Sequence, residues 1–202
     1  MTTFTTAVDR HLDLGCGLRP RNPYGRKALF GVDLRQLDST AQFEFAAANL
    51  SFEPIPFMAD MFGSVSAFDF IEHIPRVLNG EQANTTCFPF VGLMDEIWRV
   101  LAPGGLFYAL TPCYPSREAF QDPTHVNIIT EHTHDYFCGE RPLARMYGFN
   151  GRFQVRRAQW MLHEHAQQAS PLTWQQELRR RHKAWRGRLS YFLWELEAIK
   201  PA

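Results

Sequence analysis

Apolar residues in this chain come in short blocks, mostly of strand length, cut apart by glycine, proline and polar clusters. His11 to Leu14 reads as a first strand, Ala28 to Asp33 as a second, Phe43 to Asn49 as a third and Met61 to Phe70 as a fourth. A different period then takes over. Leu93, Ile97 and Leu101 recur at helical spacing beside Met94 and Trp98, with Asp95, Glu96 and Arg99 elsewhere on the circumference, and Pro103-Gly104-Gly105 is expected to stop this helix. Leu106 to Thr111 reads as a fifth strand buried on both faces, and Phe153 to His163 and Leu189 to Ile199 as two closing strands. In the last of these Tyr191-Phe192-Leu193-Trp194 are apolar at successive positions, so both faces should be covered and the strand should lie inside the sheet.

Three stretches interrupt this order. Arg19 to Gly25 cannot be a helix interior, because Pro23 removes a donor and restricts Asn22, so the loop after the first strand should be long and stiff. Residues 113–152 form an insertion too long for a tight connection and rich in polar and aromatic groups, and such insertions are more often functional than idle. A second insertion, at about 166–187, carries a basic helix: Thr173 and Gln176 spell a capping box, Trp174, Leu178 and Trp185 can share a face, and Arg179, Arg180, Arg181, Lys183 and Arg186 supply charge.

The chain has 202 residues, enough for one α/β domain with a substantial core, here taken as 1–202 with the two insertions forming a lid and the basic helix. Its 21 basic and 21 acidic residues cancel, so nothing global argues for nucleic acid as a partner. Cys16, Cys87, Cys113 and Cys138 are scattered and read as reduced thiols, which with no signal-peptide pattern and no transmembrane run sets the expectation of a cytoplasmic protein. A homodimer is compatible with this composition.

The chemistry starts at Asp13-Leu14-Gly15-Cys16-Gly17, followed after a short connection by Gly31-Val32-Asp33-Leu34. A strand, a glycine turn open to close approach by a ligand, and a second strand ending in a carboxylate placed for ribose hydroxyls suit a nucleoside-bearing ligand. Pro20 stands where a dinucleotide fingerprint has its third glycine, which disfavours a pyrophosphate. With Phe68-Asp69-Phe70-Ile71-Glu72-His73-Ile74-Pro75 and Ile97-Trp98-Arg99-Val100-Leu101-Ala102-Pro103-Gly104-Gly105, this pattern resembles the class I S-adenosylmethionine (SAM) dependent methyltransferases, in their small-molecule, type 11-like branch. The resemblance covers residues 10 to 112 well and the closing strands loosely.

The resemblance implies a Rossmann-like seven-stranded sheet in the order 3-2-1-4-5-7-6 with helices on both faces, SAM as cofactor and S-adenosylhomocysteine as product. It implies cofactor contacts from Asp13, Gly15, Cys16, Gly17, Asp33, Leu34, Asn49, Leu50 and Phe68; Asn49 stands where the family usually has an acid. Phe68 and Asp69 are expected to face donor and acceptor. A small-molecule acceptor is expected, anionic or glycan-related, with O-methylation of a sugar or related hydroxyl compound as the first reading. Methylation of a small amine and a non-catalytic SAM-binding protein are the alternatives.

Methyl transfer to a hydroxyl needs positioning and a proton acceptor, and a histidine suits the second task. His125, in the insertion after the fifth strand, is the first candidate, followed by His73 and Asp69. Asp122, His125, His132 and His134 also invite a metal reading, but their spacing fits no standard zinc pattern, and no metal is expected. The basic helix reads most simply as a solvated face, and more sharply as a contact for an anionic acceptor or lipid headgroup.

Overall fold

The computed structural model describes residues 7–36, 43–80, 82 and 84–201. Seven strands form one sheet: β1 (Arg10–Leu14), β2 (Ala28–Asp33), β3 (Glu44–Ala47), β4 (Phe62–Phe68), β5 (Leu101–Pro112), β6 (Phe153–Met161) and β7 (Tyr191–Ala198). Their order is β3-β2-β1-β4-β5-β7-β6, the order the resemblance implied. The first five run parallel, and β7 pairs antiparallel with both β5 and β6. The apolar run in β7 is explained by that place: Phe192, Leu193 and Trp194 are all buried.

The principal helix, α1 (Pro89–Val100), lies directly before β5 and buries Leu93, Met94, Ile97 and Val100 against the sheet. Its Glu96 accepts the Ile55 N–H at 2.9 Å, and Arg99 donates to the carbonyls of Ile55 and Phe57 at 2.9 Å, which clips the connection between β3 and β4 to the helix. The Pro103-Gly104-Gly105 stretch does not separate helix from strand as expected. α1 ends at Val100, β5 starts at Leu101, and the Pro-Gly-Gly stretch is taken up in a register shift between Leu101, opposite Phe62, and Leu106, opposite Ser64. A bulge absorbs the residues that cannot ladder.

The two faces of the sheet are covered differently. On the face opposite α1, Phe68, Tyr108, Leu110, Met161 and Leu193 are sealed by Tyr24 from the loop after β1 and by Ala166, Ala169 and Leu172. That loop is stiff, as Pro23 suggested: the Asn22 side chain both accepts from and donates to the Arg26 backbone, and the Pro23 carbonyl holds the Ala169 N–H at 2.9 Å. The basic helix α2 (Trp174–Trp185) carries its capping box but buries no residue. Trp174, Leu178 and Trp185 are exposed, so the apolar stripe is not packed on the body.

Under the stiff loop the sheet carries a buried polar network. His11 bridges Ser64 and Ser66 at 2.8 and 2.9 Å, and Ser66 donates to Asp13 at 2.5 Å. Burial lowers the His11 pKa to about 3 and pushes the Asp13 carboxyl up to about 7. The two shifts act on stability with opposite signs. The His11 contribution is present above its unfolded value of 6.5 and lost as the pH falls towards 3, whereas the Asp13 contribution is present below 3.8 and lost as the pH rises through 7. His11→Gln removes the first alone. Urea denaturation should therefore show the stability gap between the native chain and this variant shrinking by up to about 1.4 kcal/mol per pH unit on acidification below the unfolded histidine value. A gap that stays constant would mean that His11 titrates normally in the fold.

Candidate functional site

The carboxyl ends of β1, β2 and β4 meet at one edge of the sheet, and the glycine turn lies there. Gly15 and Gly17 have φ of 67° and 53°, and the Val32 carbonyl accepts from the N–H groups of Gly15 and Cys16 at 2.8 and 3.1 Å. Gly17 donates its N–H to Asp33 Oδ2 at 2.9 Å, so the turn is tied to the acid at the end of β2. A side chain on Gly17 would meet only the end of Arg35, at 3.9 Å, which leaves open space over the turn. Asp33 Oδ1 accepts from the backbone and side chain of Arg35 at 3.0 and 3.1 Å. Burial alone would raise the Asp33 pKa, but the hydrogen bonds from Arg35 and Gly17 outweigh it and hold the carboxyl below its usual range.

The other expected cofactor residues divide. Leu34 is exposed beside Asp33 and can pack against a flat ring. Asn49 lies two residues past the end of β3 and caps the Ser51 N–H with its side-chain oxygen at 3.2 Å. Leu50 is a core residue, and Cys16 is buried with its thiol pushed up to about 12 by burial, so neither presents a side chain to a ligand. Asp13 is not available either: Oδ1 takes the Ser66 hydroxyl, Oδ2 takes the Arg21 N–H at 2.8 Å, and the residue is fully buried. These bonds anchor the loop to β1 and β4.

Phe68 faces away from the turn. It is buried on the far side of the sheet with the Arg21 guanidinium 5.0 Å over its ring and Tyr108 beside it. Phe70 is the aromatic group that reaches the turn: its ring lies 2.6 Å from where a side chain on Gly15 would begin, so packing against Phe70 demands that glycine as strictly as any ligand would.

Asp69, between the two, has φ of 48°, a left-handed backbone that aspartate tolerates better than most residues. His163 Nε2 is 3.3 Å from Asp69 Oδ2 and packs edge-on against Tyr191, whose hydroxyl also interacts with Asp69. Burial pushes the Tyr191 hydroxyl up to about 12. Neither His163 nor Tyr191 was singled out from sequence, although Tyr191 opens a strand that was recognised and pairs with Pro112 at the carboxyl end of β5.

The insertion after β5 docks on the segment that follows β4. The Val126 and Asn127 N–H groups donate to the Glu72 carbonyl at 3.0 and 2.9 Å, and Asn127 donates from its side chain to the Ile71 carbonyl at 3.0 Å. This docking brings His125 edge-on to His73, with ring centres 4.8 Å apart. Thr124 Oγ1 is 2.9 Å from His73 Nδ1 and donates to Asp122 Oδ1 at 2.7 Å. Of the three residues named for catalysis, His73 and His125 thus come together past the end of β4, whereas Asp69, next to that strand end, contacts His163 and Tyr191.

The four-residue metal set does not. His132 is exposed and pairs with Asp135 at 3.1 Å, whereas His134 is buried among Phe192 and Trp194 with its pKa lowered by that burial.

No family model matches the chain, and no curated protein matches it either. Solved structures do. A Haloferax volcanii protein in complex with the Trm112 methyltransferase activator is 15% identical with a TM-score of 0.57, over 98% of this chain and 86% of that one. A SAM-dependent methyltransferase from Archaeoglobus fulgidus is 14% identical with a TM-score of 0.55, over 93% and 85%. The [4+2]-cyclase SpnF is 14% identical with a TM-score of 0.52, over 95% and 75%. The fold is therefore that of the class I SAM-dependent methyltransferases, and the cyclase among its neighbours means that the fold alone does not fix the chemistry.

Proposed function

We propose that this protein binds SAM over the glycine turn and transfers its methyl group to a hydroxyl of a small-molecule acceptor held against Asp69, His73 and His125. One observation supports the reading above the others: the Gly17–Asp33 turn and a cluster of proton acceptors stand side by side on one edge of the sheet, from strands that the fold makes neighbours. The residues fit the cofactor. Asp33 Oδ2 accepts one hydrogen bond in this structure and keeps a lone pair for a ribose hydroxyl, Leu34 offers an apolar surface, and the space over Gly17 is open.

SAM supplies an electrophilic methyl group on a sulfonium. The protein's part is to align the acceptor and remove its proton. In this reading the acceptor's hydroxyl meets His125 and His73, whose rings lie together, and Asp69, held by His163 and Tyr191, lines the same site. A sugar-like or other hydroxyl acceptor suits so polar a wall.

Calorimetry with SAM, S-adenosylhomocysteine and NAD tests the cofactor assignment. Saturable one-to-one binding of the first two and none of NAD is expected. Binding of NAD alone would overturn the reading.

A further inference from the structure

We propose that Glu72, His73 and His125 form a binding site for a divalent transition-metal ion on the acceptor side of the cleft, placed to hold and polarise an acceptor oxygen. The ion's role rests on the methyltransferase reading; the site itself rests on geometry.

Among the described residues, one ligand atom from each of these three side chains lies within 4.8 Å of the others. Donors around zinc at ~2.0–2.2 Å sit roughly 3–4 Å apart. Closing the triad on an ion therefore needs side-chain movements of under ~1 Å, by the same bond lengths. Two imidazoles and one carboxylate also form the set that binds zinc or iron(II) on one face and leaves further positions open for a substrate oxygen or water.

Glu72 gives an independent reason. It is 1% exposed, deep enough that a carboxylate must find partners. Its Oε2 takes the Thr111 hydroxyl at 2.9 Å, but its Oε1 is sealed from solvent with no hydrogen-bond partner. A buried carboxylate that has a single side-chain partner, with one oxygen within 4.8 Å of a nitrogen from each of two imidazoles, is what a cation would satisfy.

The histidines are oriented by other contacts, as ligands need to be. Thr124 lies at His73 Nδ1, backed by Asp122, and His125 Nδ1 faces the Ala119 carbonyl at 3.4 Å. Both rings keep Nε2 for an ion. One carboxylate against a divalent cation leaves net positive charge, which favours an acceptor with an ionisable hydroxyl or an adjacent carboxylate. Sequence reasoning looked for a metal within the 122–134 segment and missed this set, because Glu72 and His73 come from the segment after β4, onto which the insertion docks only in the fold.

The test is zinc titration by calorimetry on tag-free protein stripped with chelator, with elemental analysis of a dialysed sample. One equivalent of zinc is expected to bind, with affinity weakened at least 10-fold by His125→Ala and by Glu72→Gln and unchanged by His132→Ala. Cobalt(II) should give a visible absorption band in the native chain that both variants lose. Because Glu72 is buried, His73→Gln is run beside it, and S-adenosylhomocysteine binding by every variant reports that the fold is intact. Absence of zinc binding up to millimolar concentration, or binding that all three triad variants retain, overturns the site. If zinc fails and S-adenosylhomocysteine binds, the metal site falls alone; if zinc binds and the nucleoside does not, the site stands and the methyltransferase reading falls.

Discussion

His125→Ala is expected to slow methyl transfer to a hydroxyl acceptor by roughly 10²–10⁴ while leaving S-adenosylhomocysteine affinity nearly unchanged. The side chain belongs to the acceptor side: it sits edge-on to His73 in the segment docked past β4, whereas the Gly17–Asp33 turn lies over β1 and β2. Whether the imidazole takes the proton itself or acts through an ion that it holds, its removal leaves the hydroxyl protonated as the methyl group arrives. The measurement is a turnover number with an acceptor found by screening hydroxyl compounds, read beside the calorimetric dissociation constant. His132→Ala is the control, since that ring is exposed and tied only to neighbours in its own segment. Near-native turnover of His125→Ala from pH 6 to 9, a range that brackets an ordinary imidazole pKa, would mean that His125 merely fastens the insertion to the body. An acceptor amine, already neutral and needing no base, would then become the better reading.

The strands were legible because each is a short apolar block with a breaker behind it, and the place of β7 followed from four apolar residues in a row. Register and facing were harder to see. Phe68 and Phe70 are two apart at a strand end, where alternation puts them on one face, yet the left-handed turn at Asp69 sends one ring under the sheet and the other over Gly15. No local pattern announces that turn, because aspartate tolerates a left-handed backbone without requiring one.

Asp13 was misplaced for a related reason. An acid before a glycine turn looks ready for a ligand, but the loop that covers it is a tertiary feature: Arg21 and Ser66 each bond one of its oxygens, and the residue is fully buried. Glu72 is buried, which nothing in its local sequence announces. His163 and Tyr191 meet Asp69 only because β6 and β7 fold back beside β5, a contact spanning 94 positions between Asp69 and His163. The exposed Trp174, Leu178 and Trp185 reverse the usual inference from an amphipathic helix, since the stripe is present and none of the described residues covers it.

Asp33→Ala should weaken S-adenosylhomocysteine binding by about 10- to 100-fold, or roughly 1–3 kcal/mol, for the loss of charge-assisted hydrogen bonds to the ribose. Two effects are folded into that number. The carboxylate would accept ribose hydroxyls, and it also holds the Gly17 N–H at 2.9 Å, so its removal slackens the turn over which the nucleoside lies. Asp33→Asn separates them, because an amide oxygen can keep the Gly17 bond while the second oxygen becomes a donor; its affinity should fall between those of the native chain and the alanine variant. Arg35 occupies the other oxygen, Oδ1, through an arm that is 74% exposed. Such a pair is worth little, so Arg35 can swing aside for the ribose, and Arg35→Ala should keep its affinity within about threefold of native. If Asp33→Ala binds as tightly as the native chain, the ribose does not lie at the end of β2, and the nucleoside site must be sought elsewhere on the sheet edge.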